Sequence, residues 1–187
     1  MRAITGKYKG RHFNVPNSFK ARPTTDFAKE NIFNVLKAYI DFEEITALDL
    51  FGGTGSITLE LLSRGAKRVV CVEKDFHHFS FIKQVMKALN DSNAAILKGD
   101  VLKFVPKCSE EFDFVFADPP YALPELAELP ELVMNSGVVK PGGIFVLEHG
   151  KNYDFSAHPC FKEHRYYGSV NFSIFVKEDK VTDEVAD

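Results

Sequence analysis

Five short segments of this chain are almost continuously apolar, and stretches with helical spacing separate most of them. Strands that read as unbroken apolar runs are buried on both faces, which is typical of a parallel sheet covered by helices. The alternation therefore predicts an α/β fold with a mostly parallel sheet and helices on both faces. The predicted strands are Ala47–Phe51, Val69–Val72, Ala94–Leu97, Phe112–Ala117 and Gly143–Glu148.

The two ends of the chain and its helices complete this prediction. An alternating stretch from Lys162 to Val176, broken near Gly168, predicts a terminal hairpin and brings the sheet to seven strands. The stretch from Arg2 to Pro16, with turns at Gly6 and Gly10, predicts a small N-terminal hairpin. The predicted helices are one that is capped by Thr24, Thr25 or Asp26, then Ser56–Arg64, Phe76–Leu89, and Leu126–Ser136 with an interruption at Pro130.

Length and composition limit the class of protein. The chain has 187 residues, of which 45% are hydrophobic and 26% charged, and this fits a single soluble domain over residues 1–187. No apolar run approaches a membrane span, and the N-terminus lacks a signal-peptide pattern. The three cysteines are widely spaced, so we expect reduced thiols in a cytoplasmic protein, with no disulfide frame and no metal site. We expect a monomer.

Charge is distributed unevenly along the chain, although the net charge is only -3. Residues 1–25 form a basic arm that contains no acidic residue, whereas residues 178–187 form an acidic tail that we expect to be flexible. A basic arm on an acidic body indicates contact with a polyanion such as a nucleic acid. The alternative is a solvated hairpin with no partner.

The first predicted strand runs into a glycine-rich turn, Asp49-Leu50-Phe51-Gly52-Gly53-Thr54-Gly55. Glycines at this position permit a ligand to approach the backbone at a helix N-terminus. The turn does not match the dinucleotide fingerprint, because Thr58 stands at its third glycine position. Asp49 would repel a pyrophosphate but attract an ammonium or sulfonium group, unless it serves only as a structural acceptor.

Two further acidic residues follow the next two strands. Glu73 could accept hydrogen bonds from a ribose diol, or it could pair with Lys74. Asp100 could accept a hydrogen bond from an adenine amino group, or it could cap the next helix. Three acids at successive strand ends fit a ligand with an adenosine, a positively charged tail and no phosphates. That description fits S-adenosylmethionine better than NAD.

The fourth predicted strand ends in Asp118-Pro119-Pro120-Tyr121. Two successive prolines make a stiff, turned backbone. The carboxylate of Asp118 and the carbonyl of Pro119 could accept the protons of an exocyclic amino group, while Tyr121 stacks on the base. The motif predicts an enzyme that alkylates a nucleobase nitrogen, and the alternative is an ordinary strand-terminating turn. Glu148 and His149 end the fifth strand and are candidates for the pocket wall.

These motifs resemble those of class I methyltransferases, and specifically the RsmD family of 16S ribosomal RNA guanine-N2 methyltransferases. The resemblance extends beyond the glycine turn and the Asp118 motif. In the helix that follows Arg22-Pro23-Thr24, the family usually has arginines where this chain has Phe27 and Lys29. The other matching segments are Arg2-Ala3-Ile4-Thr5-Gly6, Lys9-Gly10-Arg11, Arg22-Pro23-Thr24-Thr25-Asp26, Glu30 with Ile32-Phe33-Asn34, and Leu62-Ser63-Arg64-Gly65-Ala66.

The resemblance implies a Rossmann-like fold and methylation of the guanine-966 type at N2, in 16S ribosomal RNA or in the small ribosomal subunit. It implies that Asp118, Pro119, Pro120 and Tyr121 hold the target base. The residues implied to lie around S-adenosylmethionine are Asp49, Phe51, Gly52, Gly53, Gly55, Glu73, Asp100 and Val101. The residues implied to contact RNA are Arg2, Lys7, Lys9, Arg11, Arg22 and Thr24.

Other functions remain open from the residues alone. An adenine-N6 or cytosine-N4 DNA methyltransferase uses the same Asp118 motif, but this chain has no room for a large target-recognition domain. A non-catalytic RNA-binding assembly factor would have no use for the intact motif. A dinucleotide-dependent oxidoreductase ranks third, because the glycine pattern is incomplete.

Overall fold

A central sheet organises the computed structural model, which describes residues 1–19 and 24–179. Within these residues the sheet has seven strands in the order β3-β2-β1-β4-β5-β7-β6. The strands are β1 (Thr46–Leu50), β2 (Arg68–Glu73), β3 (Ala94–Lys98), β4 (Phe112–Ala117), β5 (Val139–His149), β6 (Phe161–Tyr167) and β7 (Val170–Val176). The helices are α1 (Asp26–Leu36), α2 (Ser56–Ser63), α3 (Phe76–Leu89), α4 (Val101–Phe104) and α5 (Leu129–Asn135).

The pairing of the strands confirms the predicted parallel sheet and its terminal hairpin. β1 pairs in parallel with β2 and β4, β2 with β3, and β4 with β5. β7 then pairs antiparallel with both β5 and β6. Because parallel strands end at the same edge, the polar residues that follow β1 to β5 meet there.

Helices cover both faces of the sheet, as predicted. Successive strand residues point to opposite faces, so Ala47 and Leu48 of β1 belong to different apolar clusters. α1, α2 and α3 pack on the face of Ala47, whereas α4 and α5 pack on the face of Leu48. Seven phenylalanines are fully buried among these layers: Phe33, Phe112, Phe114, Phe116, Phe145, Phe172 and Phe175.

Several predicted boundaries differ from the observed ones. β5 begins at Val139, four residues before the predicted Gly143, because the proline-glycine turn is a bulge inside the strand. The last predicted helix is instead a 3-10 turn, Pro124–Glu128, followed by α5. The cap of the helix after the basic arm is confirmed, because Thr25, one of the three predicted candidates, accepts a hydrogen bond from the Ala28 N–H at 3.1 Å and the helix begins at Asp26.

The predicted N-terminal hairpin is present as a folded-back arm, but its two halves do not form a regular two-stranded ladder. The described part of the arm contains two isolated bridges, Arg2 with His12 and Ala3 with Lys9, and no regular strand. The arm instead folds back through positive-φ turns at Gly6 and Gly10 and packs on the body. Gly6 lies so close to α2 that a Cβ atom there would stand 1.7 Å from the Ser63 carbonyl oxygen.

No helix in residues 1–19 and 24–179 is both long and apolar enough to cross a membrane. Of the acidic tail predicted over residues 178–187, residues 180–187 lie outside the described part of the chain.

Candidate active site

A cavity of about 1150 Å³ opens at the carboxyl ends of the parallel strands. This is the edge where open α/β sheets bind their ligands. The cavity brings together most of the residues that the sequence marked out as cofactor or base contacts. Those that line it are Asp49, Phe51, Gly52, Gly53, Glu73, Asp100, Val101, Asp118, Pro119, Pro120, Tyr121 and Thr24.

The glycine turn between β1 and α2 forms one wall of the cavity. Phe51 is held at φ 64°, a left-handed conformation that is uncommon for a bulky residue. Gly52 has no space for a side chain, since a Cβ there would lie 2.4 Å from the Cys71 Sγ atom. Gly55 caps α2 in a left-handed conformation and supports the turn from behind, without lining the cavity. The turn thus exposes backbone to a ligand on its open side.

Glu73, at the end of β2, holds the glycine turn in place. Its Oε2 accepts a hydrogen bond from the Gly53 N–H at 2.7 Å, and its Oε1 accepts one from the Asp75 N–H at 2.7 Å. The side chain is buried and pairs with these backbone donors, not with Lys74. Since an ionised carboxylate offers about four lone-pair sites, Glu73 keeps acceptor capacity for a ligand.

Asp49 is buried beneath the turn at the end of β1. Its Oδ2 accepts hydrogen bonds from the Thr58 N–H at 3.0 Å and the Thr58 hydroxyl at 2.6 Å. Burial raises the pKa of Asp49 to about 7, against the lowering effect of these hydrogen bonds. The residue is therefore a structural acceptor for α2 and, at the same time, a cavity-lining acid that a nearby cation would ionise.

Asp100 and Val101 line the cavity beyond β3. Asp100 caps α4 by accepting a hydrogen bond from the Leu102 N–H at 3.0 Å, and it also accepts one from Lys74 Nζ at 2.9 Å. The hydrogen bond from Lys74 lowers the pKa of Asp100. Asp100 therefore caps α4 and lines the cavity at the same time, so the two alternatives considered for it do not exclude each other.

Asp118 stands at the opposite end of the cavity, where β4 ends. Its backbone N–H donates to the Leu50 carbonyl at 3.3 Å, which fixes the start of the proline turn against β1. Burial, followed by the nearby charges of Glu148 and Asp49, raises the pKa of Asp118 well above its usual range. The Asp118 carboxyl is thus a stronger base than an exposed aspartate.

Glu148 lines this end of the cavity, as predicted, and it also binds two of the neighbouring site residues. It is buried at the end of β5 and accepts hydrogen bonds from the Thr24 hydroxyl at 2.7 Å and from the Tyr121 hydroxyl at 3.0 Å. Burial raises the pKa of Glu148 as well. A sequence signal for it existed, because β5 adjoins β4 and an acid that ends β5 must lie near Asp118.

Thr24 links the two carboxyl groups. Its hydroxyl oxygen lies 2.7 Å from Glu148 Oε2 and 3.4 Å from Asp118 Oδ2, but a hydroxyl has a single proton to donate. Thr24, predicted as an RNA contact, is therefore buried inside the cavity beside Asp118. His149 faces away from this group, since its ring nitrogens meet the Gly150 carbonyl and the Ser173 hydroxyl.

The lysines and arginines of the described part of the arm do not line the cavity. Lys7 pairs with Asp91 at 2.9 Å, and the Arg11 guanidinium donates to the Ala88 carbonyl at 3.2 Å, both beside the C-terminal end of α3. Phe76, at the other end of α3, lines the cavity about 20 Å away. Lys9 is exposed on the arm.

Two other predicted RNA contacts have different surroundings. Arg2 pairs with Asp26 at 2.7 Å in the first turn of α1, so it is nearer to the cavity than Lys7 or Arg11. Arg22 lies outside the described residues.

The two positions that depart from the family pattern also differ from each other. Lys29 is fully buried, and its ammonium group donates to the Arg2 carbonyl at 2.7 Å and to the Ser56 hydroxyl at 2.9 Å. Burial lowers the pKa of Lys29. Lys29 therefore holds the arm against α1 and α2, while Phe27 is exposed to solvent.

Within the described residues, no group of three or more His, Cys, Asp or Glu side chains is arranged to hold a metal ion. The cavity also has a wall that the sequence did not mark out. Ser169, in the turn between β6 and β7, and Val170, the first residue of β7, line it beside the end of β5.

Comparison with known proteins agrees with this geometry. Residues 1–176 match the family model described as Conserved hypothetical protein 95. The Haemophilus influenzae protein named Ribosomal RNA small subunit methyltransferase D is 35% identical over 156 residues, which cover 81% of this chain and 80% of that protein.

Solved structures share the fold. The Escherichia coli protein yhhF, described as a methyltransferase, has a TM-score of 0.84 at 26% identity, over 96% of this chain and 99% of that one. A methyltransferase structure complexed with SAH has a TM-score of 0.62 at 15% identity, over 79% of this chain and 49% of that one, and it shows the fold alone. The Rossmann-like class I methyltransferase fold is thereby confirmed. The chain belongs to the Conserved hypothetical protein 95 family, the RsmD methyltransferases that its motifs resemble, and it is a methyltransferase.

Proposed function

We propose that this enzyme transfers a methyl group from S-adenosylmethionine to the exocyclic N2 of a guanine in small-subunit ribosomal RNA. The observation that carries the proposal is one continuous cavity, with three strand-end acids around a glycine turn at one end and Asp118 to Tyr121 at the other. The name of the Haemophilus influenzae relative supports the choice of substrate.

The glycine-turn end suits S-adenosylmethionine. The backbone at Gly52 has no room for a side chain, and Glu73 retains acceptor capacity that a ribose diol can use. Asp49 would face the positively charged part of the ligand, and Asp100 with Val101 would face the adenine. Two lysines line the described part of the cavity, Lys74 and Lys98, and Lys74 is paired with Asp100. No arginine among the described residues lines it. When bound, S-adenosylmethionine supplies an electrophilic methyl group on a positively charged sulfur.

The other end of the cavity suits a flat base that carries an amino group. The guanine N2 lone pair is delocalised into the ring, so the nitrogen is a poor nucleophile until its protons are held out of the ring plane. The Asp118 carboxylate and the Pro119 carbonyl would accept hydrogen bonds from the two N–H groups, and the stiff proline turn would fix both acceptors. Tyr121, held through its hydroxyl by Glu148, would stack on the base.

The paired carboxyl groups would also manage the proton that the nitrogen releases. Burial and mutual repulsion raise the pKa of Asp118, which makes it a better proton acceptor than an exposed aspartate. The Thr24 hydroxyl lies between the Asp118 and Glu148 carboxyl groups and can donate its proton to either one. This donor reduces the repulsion between the two acids. The target base must leave its stack, or be unpaired, to reach this position.

The first test is to incubate the protein with labelled S-adenosylmethionine and small ribosomal subunits that lack the modification. Mass spectrometry of the digested RNA would then identify the methylated nucleoside. We expect N2-methylguanosine at a single position. Methylation of adenine or cytosine, or transfer to DNA in preference to RNA, would contradict the proposed substrate.

A matched reaction with protein-free 16S RNA separates two substrates. If only the assembled subunit is methylated, the RNA conformation that presents the guanine depends on ribosomal proteins. Binding of the labelled co-substrate without any transfer to either RNA would favour a binding-only role and would overturn the proposed reaction.

A further inference from the structure

Two aromatic rings lie beside the base end of the cavity and have no part in the mechanism above. Phe27, in the first turn of α1, has 63% of its surface exposed. Its ring packs against the ring of Tyr167, at the end of β6, in a T-shaped arrangement with centroids 6.2 Å apart and planes at 87°. We call Phe27 and Tyr167 the aromatic shelf. An exposed phenylalanine that is held against a second ring offers an ordered aromatic surface on which a flat ligand can stack.

The shelf is continuous with the cavity through two chain segments. Thr24 and Thr25 line the cavity, and Phe27 follows two residues later. Ser169 and Val170 line it as well, and Tyr167 precedes Ser169 by two residues, a span of at most about 7 Å. Both segments that carry the shelf therefore also form the cavity wall, and Thr24 reaches Asp118. A molecule that extends out of the base end at this side meets the aromatic shelf.

The shelf is held in place before any ligand binds. The Tyr167 ring packs 6.2 Å from the ring of Phe172, which is fully buried in the sheet. The Phe27 carbonyl accepts a hydrogen bond from the Asn31 side chain at 2.8 Å, within a helix that Thr25 caps. Tyr167 thus supports Phe27 on one side, while most of the Phe27 surface stays exposed. Ordered rings lose little freedom when a ligand stacks on them.

A half-exposed arginine adjoins each ring of the shelf. Arg2 pairs with Asp26, next to Phe27, and its side chain is 48% exposed. Arg165 lies two residues before Tyr167, on the same side of β6, and pairs with Glu163 while remaining 46% exposed. Aromatic rings with nearby cations are the combination that binds single-stranded nucleic acid, because bases stack on the rings and phosphates approach the cations.

We propose that the aromatic shelf stacks an unpaired nucleotide that neighbours the target base in the RNA substrate. The inference rests on the proposed function, since a base drawn into the cavity leaves its neighbours unstacked. An aromatic ring accepts the face of any base, so the shelf would provide affinity with little sequence preference. Phe27 would be the stacking surface, and Tyr167 would hold it in position.

The test compares Phe27→Ala with Tyr166→Ala. Tyr166 is a matched control, because it is 71% exposed but points to the opposite face of β6 from Tyr167, near His164. We expect Phe27→Ala to weaken binding of a protein-free 16S RNA fragment that contains the target guanine by about 5- to 100-fold. The KM for RNA should rise by a similar factor while kcat is retained. Phe27→Trp should keep the affinity, and Tyr166→Ala should leave it unchanged.

Two results would overturn the shelf. The first is equal RNA affinity for the original protein, Phe27→Ala and Tyr166→Ala. The second is an effect of Phe27→Ala on assembled subunits but not on free RNA, because the contact would then be to a ribosomal protein. Unchanged affinity for S-adenosylmethionine, measured by calorimetry, shows that each variant is folded.

The same measurements separate the shelf from the reaction. If the protein binds the RNA fragment more weakly after Phe27→Ala but methylates no guanine, the proposed function fails and the shelf stands. If guanine N2 is methylated with the same KM by Phe27→Ala, the reaction stands and the shelf fails.

Discussion

The two ends of the cavity hold acidic groups in opposite ways. At the glycine-turn end, Glu73 and Asp49 accept hydrogen bonds from backbone N–H and hydroxyl groups, and Asp100 pairs with Lys74. At the base end, Asp118 and Glu148 face each other, and Thr24 has a single proton to share between them. The acids at the first end are held by donors that include backbone N–H groups and a lysine, whereas Asp118 and Glu148 lie beside each other and accept from the Thr24 and Tyr121 hydroxyls.

This difference corresponds to the two ligands that we propose. A co-substrate with a ribose diol and a positive charge can bind to a preformed wall that needs no new proton. A base with an amino group brings N–H donors that the Asp118 carboxyl can accept, since a carboxyl oxygen accepts more than one hydrogen bond.

Replacing Asp118 should have the largest effect on the base end alone. We expect Asp118→Ala to lower methyl transfer by about a hundred- to a thousandfold, because the amino protons lose their charged acceptor. The affinity for S-adenosylmethionine, measured by calorimetry, should remain. Near-normal transfer by this variant would contradict the role of the motif.

Asp49→Asn tests the charge at the glycine-turn end. Because the pKa of Asp49 is about 7, the original protein should bind S-adenosylmethionine more weakly as the pH falls below about 7, where Asp49 becomes neutral. A cation favours the ionised form, so affinity should rise with pH toward neutrality and then level off. Asp49→Asn should bind about 10- to 100-fold more weakly near neutral pH.

Calorimetry at several pH values checks this prediction. The Asp49→Asn variant should lose the pH dependence of binding as well as the affinity. A pH-independent affinity in the original protein would show that Asp49 supports α2 only and does not contact the cation.

Glu73→Gln tests whether the glycine turn must be held in place. Glutamine has one acceptor oxygen where Glu73 uses two, so either Gly53 or Asp75 loses its hydrogen-bond partner. We expect affinity for S-adenosylmethionine to fall about tenfold, with kcat retained at saturating concentrations. Glu125→Gln is the matched control, because Glu125 lines the same cavity. Equal losses in both variants would mean that general cavity charge, and not the turn, decides binding.

Glu148→Gln tests the pairing at the base end through the pH profile. Burial, Glu148 and Asp49 raise the pKa of Asp118, so removing the Glu148 charge should lower it while Asp49 remains. The acid limb of kcat should then move to lower pH, because Asp118 stays ionised further into acid. We expect kcat to fall about tenfold as Thr24 or Tyr121 loses its acceptor. A lower rate with an unmoved acid limb would indicate a purely structural role.

Lys9→Ala should have the smallest effect, because this residue is exposed and does not line the cavity. If the arm contacts phosphates, the slope of log RNA affinity against log salt should decrease by about 1. Lys107→Ala, an exposed lysine on the opposite face of the sheet, is the control and should leave the slope unchanged. Identical slopes for both variants would show that Lys9 does not contact RNA.

The sequence allowed much of the fold to be predicted because its signals are local. β4 and α3 have the predicted ends, Phe112–Ala117 and Phe76–Leu89, since their periodicity and flanking residues mark both boundaries. The errors arose where pairing decides the structure. β5 begins earlier than predicted because a bulge lets Val139 pair with β4 before the proline-glycine turn. The arm forms no regular ladder, and its Lys7 N–H instead donates to the Ser63 carbonyl of α2.

Sequence alone also placed the acids of the site at one edge of the sheet, because parallel strands end together. It could not assign the partners of these acids, which are distant along the chain. Thr24 meets Glu148 across 124 positions, and Lys7 meets Asp91 across 84. An exposed arm lysine and a paired one look the same in a sequence.

The sequence by itself determined the parallel α/β architecture, the glycine turn and the Asp118 motif at the strand ends, because hydrophobic period and turn chemistry are properties of neighbouring residues. Only the tertiary structure decided that Asp118 and Glu148 share the Thr24 hydroxyl, that Lys29 is buried, and that Phe27 is supported by Tyr167 beside the cavity. These contacts depend on how α1, β4, β5 and β6 pack together, and packing brings residues together regardless of their separation in the chain.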